Sequence, residues 1–78
     1  MAKEEKYNQV FINCFKVDAA ELSSLAYGSV PAWNSVGQMV LVEELEKAFD
    51  IEVEMEDILD IRSYAQGKVV LKKYGVKI

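Results

Sequence analysis

Ser35 is the side chain in this sequence best placed to do chemistry. It opens the pattern Ser35-Val36-Gly37-Gln38, a serine followed three residues on by a glutamine and then by apolar residues at helical spacing. That arrangement is a capping box, in which the hydroxyl accepts a backbone N–H and the amide reaches back to the chain. The same position presents the hydroxyl at a helix N-terminus, where unpaired N–H groups and the positive dipole end suit a phosphate. The sequence contains no histidine. This removes the Ser-His and Cys-His nucleophile pairs, the commonest metal ligand and the usual neutral-pH proton shuttle. Catalysis is not excluded by this, but its easiest routes are closed, and the chain is not expected to be an enzyme itself.

Two other constellations carry little chemistry. Cys14 is the single cysteine, so it forms no intramolecular disulfide, and its place on an apolar helical face reads as core filler. Asp50, Glu52, Glu54 and Glu56 alternate like the ligands of a calcium loop. The sixth residue of that stretch is Met55 instead of glycine, however, and the twelfth is Ile61 instead of glutamate. Both departures exclude an EF-hand, and no metal site is expected.

The elements that must position Ser35 follow from periodicity. Tyr7, Val10, Phe11, Cys14 and Phe15 recur at three- and four-residue spacing, predicting an amphipathic helix over 3–16 with Ile12 as the apolar exception on its wet side. A long connection over 17–34 follows. In it Asp18-Ala19-Ala20-Glu21 is a second capping box for one helical turn ending near Leu25, and Gly28 and Pro31 block any longer helix. Leu22, Leu25, Tyr27, Val30 and Trp33 are too apolar for a free linker, so this loop should lie across the helices. The second helix runs from Ser35 with Leu41, Val42, Leu45, Ala48 and Phe49 inward and Glu43, Glu44, Glu46 and Lys47 outward. Val36, Met39 and Val40 crowd its first turns, where at least one should be exposed.

The stretch 50–56 alternates polar and apolar, the period of a strand. A lone strand would lack a partner, so an extended connection with Ile51 and Val53 turned inward is expected instead. A short helix over 56–61 should bury Ile58, Leu59 or Ile61. Ser63-Tyr64-Ala65-Gln66 is a third capping box and begins a last helix through Tyr74, with Tyr64, Gly67, Val70, Leu71 and Tyr74 toward the core. Lys72 and Lys73 suit its C-terminus and Gly75 its stop. The expected fold is all-α: one domain over 1–78, three main helices plus one short helix, with a long loop between the first two.

Acidic residues outnumber basic ones by 13 to 9, for a net charge of −4. With no basic cluster, the chain is not expected to bind nucleic acid; it suits basic protein partners instead. It has no apolar run fit to span a bilayer, and Met1-Ala2-Lys3-Glu4-Glu5-Lys6 lacks the apolar core of a leader, so a cytoplasmic location is the default expectation.

Trp33-Asn34-Ser35-Val36-Gly37-Gln38-Met39, followed by Leu41-Val42-Glu43-Glu44-Leu45-Glu46-Lys47-Ala48-Phe49-Asp50-Ile51, resembles the modification region of acyl carrier proteins. That family carries an Asp-Ser-Leu type motif, then an aliphatic helix ending in Glu-rich residues, and a turn of the Phe-Gly/Asp-Ile type. The first helix, long loop, short third helix and Ile61-Arg62-Ser63-Tyr64 segment also occur in family order, so the resemblance covers essentially the whole chain. It implies an acyl-carrier-like bundle with 4'-phosphopantetheine attached to Ser35 by a phosphopantetheinyl transferase, the arm's thiol holding an acyl or related group as a thioester. The implied partners are that transferase and an acyl- or aminoacyl-activating ligase, ketosynthase or acyltransferase. The carrier would act as a monomer, in fatty acid, other lipid or secondary metabolite biosynthesis. Asn34, Val36, Met39, Val40, Glu43, Glu44 and Glu46 become the implied partner-contact residues.

The chain departs from the family pattern at five places, one of them Trp33, which stands where a small residue is usual. Asn34 replaces the usual Asp, Val36 the commoner Leu or Met, and Val40 an acidic residue found in several members. Gly37 should weaken the first helical turn by up to about 1 kcal/mol relative to alanine. The alternatives are an aminoacyl or peptidyl carrier, and an unmodified carrier-like domain that acts as a protein-interaction module.

Overall fold

Tyr7, Val10, Phe11 and Phe15 are buried along one side of the first helix, α1 (Lys3–Phe15), as their spacing requires. Residues 3–78 are described in the computed structural model; Met1 and Ala2, part of the stretch read above for a leader, lie outside the described residues. After α1 come a 3-10 helix (Ala19–Ser24), α2 (Ser35–Phe49), the short α3 (Met55–Asp60) and α4 (Tyr64–Lys72). The architecture is an all-α bundle with three main helices and one short one. No strand occurs among the described residues. No helix among them is long and apolar enough to cross a membrane.

The core is organised around aromatic rings. Trp33, fully buried, stacks on Phe15 with centroids 4.8 Å apart and meets Phe11 edge-on at 5.7 Å. Tyr64 continues the row against Phe11 and Tyr7. Such pairs add about 0.5–1.5 kcal/mol each beyond the area they bury. Leu41, Val42 and Leu45 of α2 close the core from the other side, with Ala48 and Phe49 half-buried.

The long loop is part of this core. Leu22, Leu25 and Trp33 are buried and Val30 packs against them, whereas Tyr27 stays largely exposed. Backbone bonds hold the loop to the start of α4: Tyr27 N–H donates to Arg62 O at 2.7 Å, and Tyr64 N–H to Leu25 O at 3.0 Å. They frame one antiparallel bridge between Ala26 and Ser63. A loop fastened at its middle delivers Trp33 to the core and Asn34 to the head of α2.

The segment 51–54 is an extended connection, with Val53 buried and Ile51 half-buried. Helix α3 begins one residue earlier than expected and buries none of its own side chains; Ile61, just beyond it, is fully buried, while Leu59 is exposed. At α4, Ser63 Oγ accepts the Gln66 N–H at 3.1 Å, the cap its spacing predicts. The helix ends at Lys72, two residues short of Tyr74, and the turn closes at Gly75 with φ +84°.

Because α3 buries little, polar contacts hold it. The Tyr74 hydroxyl donates to the Asp57 carboxylate and accepts the Glu54 N–H at 3.0 Å, and Lys73 Nζ lies 3.2 Å from Asp57 Oδ1. The Tyr74 hydrogen bond, with Lys73 second, holds the Asp57 carboxyl below its ordinary value of 3.8. A carboxyl with a lowered folded value adds stability that is complete above its ordinary value and is lost as pH falls through the folded one. Asp57→Asn is therefore expected to lower stability at neutral pH. The gap between the variant and the unchanged protein should close as urea titrations are carried below pH 3.8. A gap that stays constant into acid would rule out this role.

Candidate functional site

The head of α2 is built by Asn34, not by Ser35. Asn34 is the N-cap, with extended backbone, and its Oδ1 accepts the Gly37 N–H at 2.9 Å. Asn34 Nδ2 donates to Pro31 O at 3.4 Å. Asparagine and aspartate cap helices about equally well, so an aspartate at this position would fill the same role. Ser35 is the first helical residue, and it is exposed. The expected capping box with Ser35 as cap is thus corrected: cap and candidate nucleophile are neighbouring residues. The N–H groups of Ser35 and Val36 precede the first intrahelical bond, which leaves them free at the positive end of the dipole.

Gln38 is also displaced from its expected role. Instead of reaching back to the helix start, it is buried, its Oε1 accepting the Trp33 indole N–H at 2.6 Å. Its Nε2 donates to Ile58 O and Ile61 O, each at 2.8 Å. One side chain therefore ties α2 to the core tryptophan and to the C-terminal end of α3. Leaving any one of these buried groups unpaired would cost about 1–3 kcal/mol, against about 0.8 kcal/mol gained per methylene buried in its place. The sequence held a signal for this: residue 38 lies on the same face as Leu41, Val42 and Leu45, so a polar residue there had to find partners inside.

Gly37 has a steric reason. A Cβ built on it would lie 1.9 Å from the Ala32 carbonyl oxygen, because the 31–32 backbone crosses directly over the first turn of α2. The helix-weakening expected from its propensity is offset by a close approach that only glycine permits.

Beside Ser35 a cleft of about 270 Å³ opens between α2, α3 and the loop. Tyr27, Met39, Ile58 and Leu59 form its apolar walls, and Ser35, Gln38 and Arg62 are its polar members. The Arg62 guanidinium lies 4.5 Å from the Tyr27 ring centre and makes no ion pair among the described residues. No sequence pattern points to Arg62, since only the backbone pairing of 25–27 with 62–64 brings it here. A second cleft, about 260 Å³, lies between α3 and α4 against Val69, Val70 and Lys73 and shares no lining residue with the first.

Val36, Met39 and Val40 are all exposed, in keeping with the expectation that at least one would be, and Met55 and Leu59 of α3 are exposed as well. Glu43 and Glu44 are exposed and share Lys47, whose Nζ is 3.2 Å and 3.7 Å from their carboxylates. Glu46 does not face outward as expected. It is half-buried, and its Oε2 accepts the Val53 N–H at 2.8 Å, fastening the extended connection to α2.

Cys14 is half-buried; burial first, and then the nearby Glu44 carboxylate, push its thiol above the ordinary value, which keeps it protonated and unreactive. Among the described residues no group of three His, Cys, Asp or Glu side chains is arranged to hold a metal ion. Compared with protein-family models, with curated proteins and with solved structures, the chain matches none.

Proposed function

We propose that this protein is a carrier that holds acyl or related groups as thioesters on a phosphopantetheine arm attached to Ser35, and presents them to biosynthetic enzymes. The observation that carries this reading is the division of labour at the head of α2. Asn34 does the capping, and Ser35 is left exposed beside a cleft with no structural duty that explains a serine there. The likeness of residues 33–51 to acyl carrier proteins supports it.

The surrounding residues fit such a group. Ser35 offers an exposed hydroxyl, the free N–H groups of Ser35 and Val36 suit its phosphate, and Arg62 brings an unpaired cation to the same cleft. In the attachment step, Ser35 Oγ forms a bond to the pantetheine-side phosphorus of coenzyme A. The pyrophosphate link breaks, adenosine bisphosphate departs, and the transferase takes the hydroxyl proton. The chain needs no base of its own, in keeping with its lack of histidine. The attached group supplies a thiol that carries cargo as a thioester; the protein supplies attachment, orientation and docking, without catalysis.

The test is an intact mass after incubation with coenzyme A and a promiscuous phosphopantetheinyl transferase. A gain of one phosphopantetheine is expected. A folded chain that gains nothing with several transferases overturns the reading. In that event the second reading, an unmodified interaction module, takes its place; Asn34 favours it by withholding the carboxylate that the family uses toward the transferase.

Docking of the transferase, and of a loading ligase, ketosynthase or acyltransferase, is assigned to Val36, Met39 and Val40 with Glu43 and Glu44, in a monomer acting in the cytoplasm. Lys47 already offsets part of that acidic pair. Reversing both, Glu43→Lys with Glu44→Lys, is expected to slow modification by about 10-fold at low salt, with the difference fading as salt rises. A salt-independent loss would mean damage to the fold instead.

A further inference from the structure

We infer that Gln38 sets the depth of the cleft beside Ser35, so that the cargo it accepts is a short acyl group and long alkyl chains are kept out of the core. This rests on the carrier reading above. The cleft holds about 270 Å³, below the roughly 300–1,000 Å³ of pockets that enclose drug-sized ligands. Its mouth is apolar, which suits a few methylenes. Its floor is polar, because the Gln38 amide is saturated there by the Trp33 indole and by the Ile58 and Ile61 carbonyls. Behind the amide there is no slack: Trp33 is fully buried and stacked on Phe15. A chain passing deeper must break bonds to three buried groups before it gains any further apolar contact, so the first methylenes past the floor return less than they cost. Nor can α3 swing aside independently, since the same amide holds two carbonyls at its C-terminal end. A short group fills the mouth without disturbing any of this, with Arg62 at the rim for a polar or anionic far end.

The protein carries its own reporter, because its sole tryptophan is the one bonded to Gln38. Acetyl, butyryl, octanoyl and palmitoyl forms are prepared from the corresponding acyl-coenzyme A with a promiscuous transferase, and loading is verified by intact mass. In the unchanged protein, Tm and Trp33 emission are expected to stay the same from butyryl to palmitoyl. In Gln38→Ala, which vacates the floor, and in Gln38→Met, which keeps its length but removes the hydrogen bonds, Tm should rise by roughly 4–8 °C over the same series, with a shift in Trp33 emission. An unchanged protein whose Tm climbs with chain length overturns the inference and leaves the carrier reading intact. Loaded variants that respond no more than the unchanged protein overturn the role of Gln38. A chain that takes up no acyl-pantetheine overturns the carrier reading, and the inference falls with it.

Discussion

Ser35→Ala is expected to abolish uptake of phosphopantetheine completely while leaving stability within about 0.5 kcal/mol of the unchanged protein. The two halves of this result test different things. Had Ser35 been the cap, as its spacing with Gln38 suggests, alanine would cost about 0.5–2 kcal/mol. The cap is Asn34, whose Oδ1 takes the Gly37 N–H, so the cost moves there. Asn34→Ala should lose about 0.5–2 kcal/mol in urea denaturation. Asn34→Asp keeps the cap, places a negative charge at the positive end of α2, and supplies the carboxylate that acyl carrier proteins have at the corresponding place. It is expected to be at least as stable as the unchanged protein and to be modified faster. A Ser35→Ala protein that unfolds as readily as Asn34→Ala, or that still gains the arm by intact mass, would contradict this division of roles.

Gly37→Ala is expected to destabilise the protein by about 1–3 kcal/mol, although it replaces a poor helix former with the best one. On propensity alone the change should stabilise by up to about 1 kcal/mol, so the sign of the effect is the test. The new methyl would sit 1.9 Å from the Ala32 carbonyl oxygen. That neighbour is backbone, fixed between Pro31 and the buried Trp33, and no flexible tip can yield. Either the 31–32 crossing lifts or the first turn of α2 tilts, and both pull Gly37 N–H from Asn34 Oδ1. The drop should appear as a Tm lower by roughly 4–8 °C for each kcal/mol lost. Modification at Ser35 should slow as well, because the residue rides on the displaced turn. A raised Tm would contradict this account of Gly37.

These two variants also separate what was legible locally from what was not. Apolar spacing was enough for α1, α2 and α4, since a helix buries whichever face its sequence makes apolar. For 51–54 the spacing had the period of a strand, and it was the cost of an unpaired edge that pointed to the extended connection observed. Ser63 caps α4 as predicted, its Oγ taking the Gln66 N–H, but the return bond of a capping box from Ser63 N–H to the Gln66 side chain is not made. Glu46 was read as outward from helical position alone, yet a free N–H on the following connection drew it inward.

The head of α2 is where local reasoning stopped. The sequence by itself determined that a helix begins near residue 35, that a serine stands there and that the chain holds no histidine. Which residue caps it, why residue 37 is glycine and where Gln38 points were decided by contacts with Ala32, Trp33, Ile58 and Ile61. A cap needs only an oxygen within reach, and Asn34 and Ser35 both have one. The loop 26–33, held to 62–64 by backbone bonds, sets the angle at which the chain enters α2 and so decides between them. The same pairing brings Arg62 to the cleft. Ser35 is left exposed because its neighbour satisfies the helix, and that choice is tertiary.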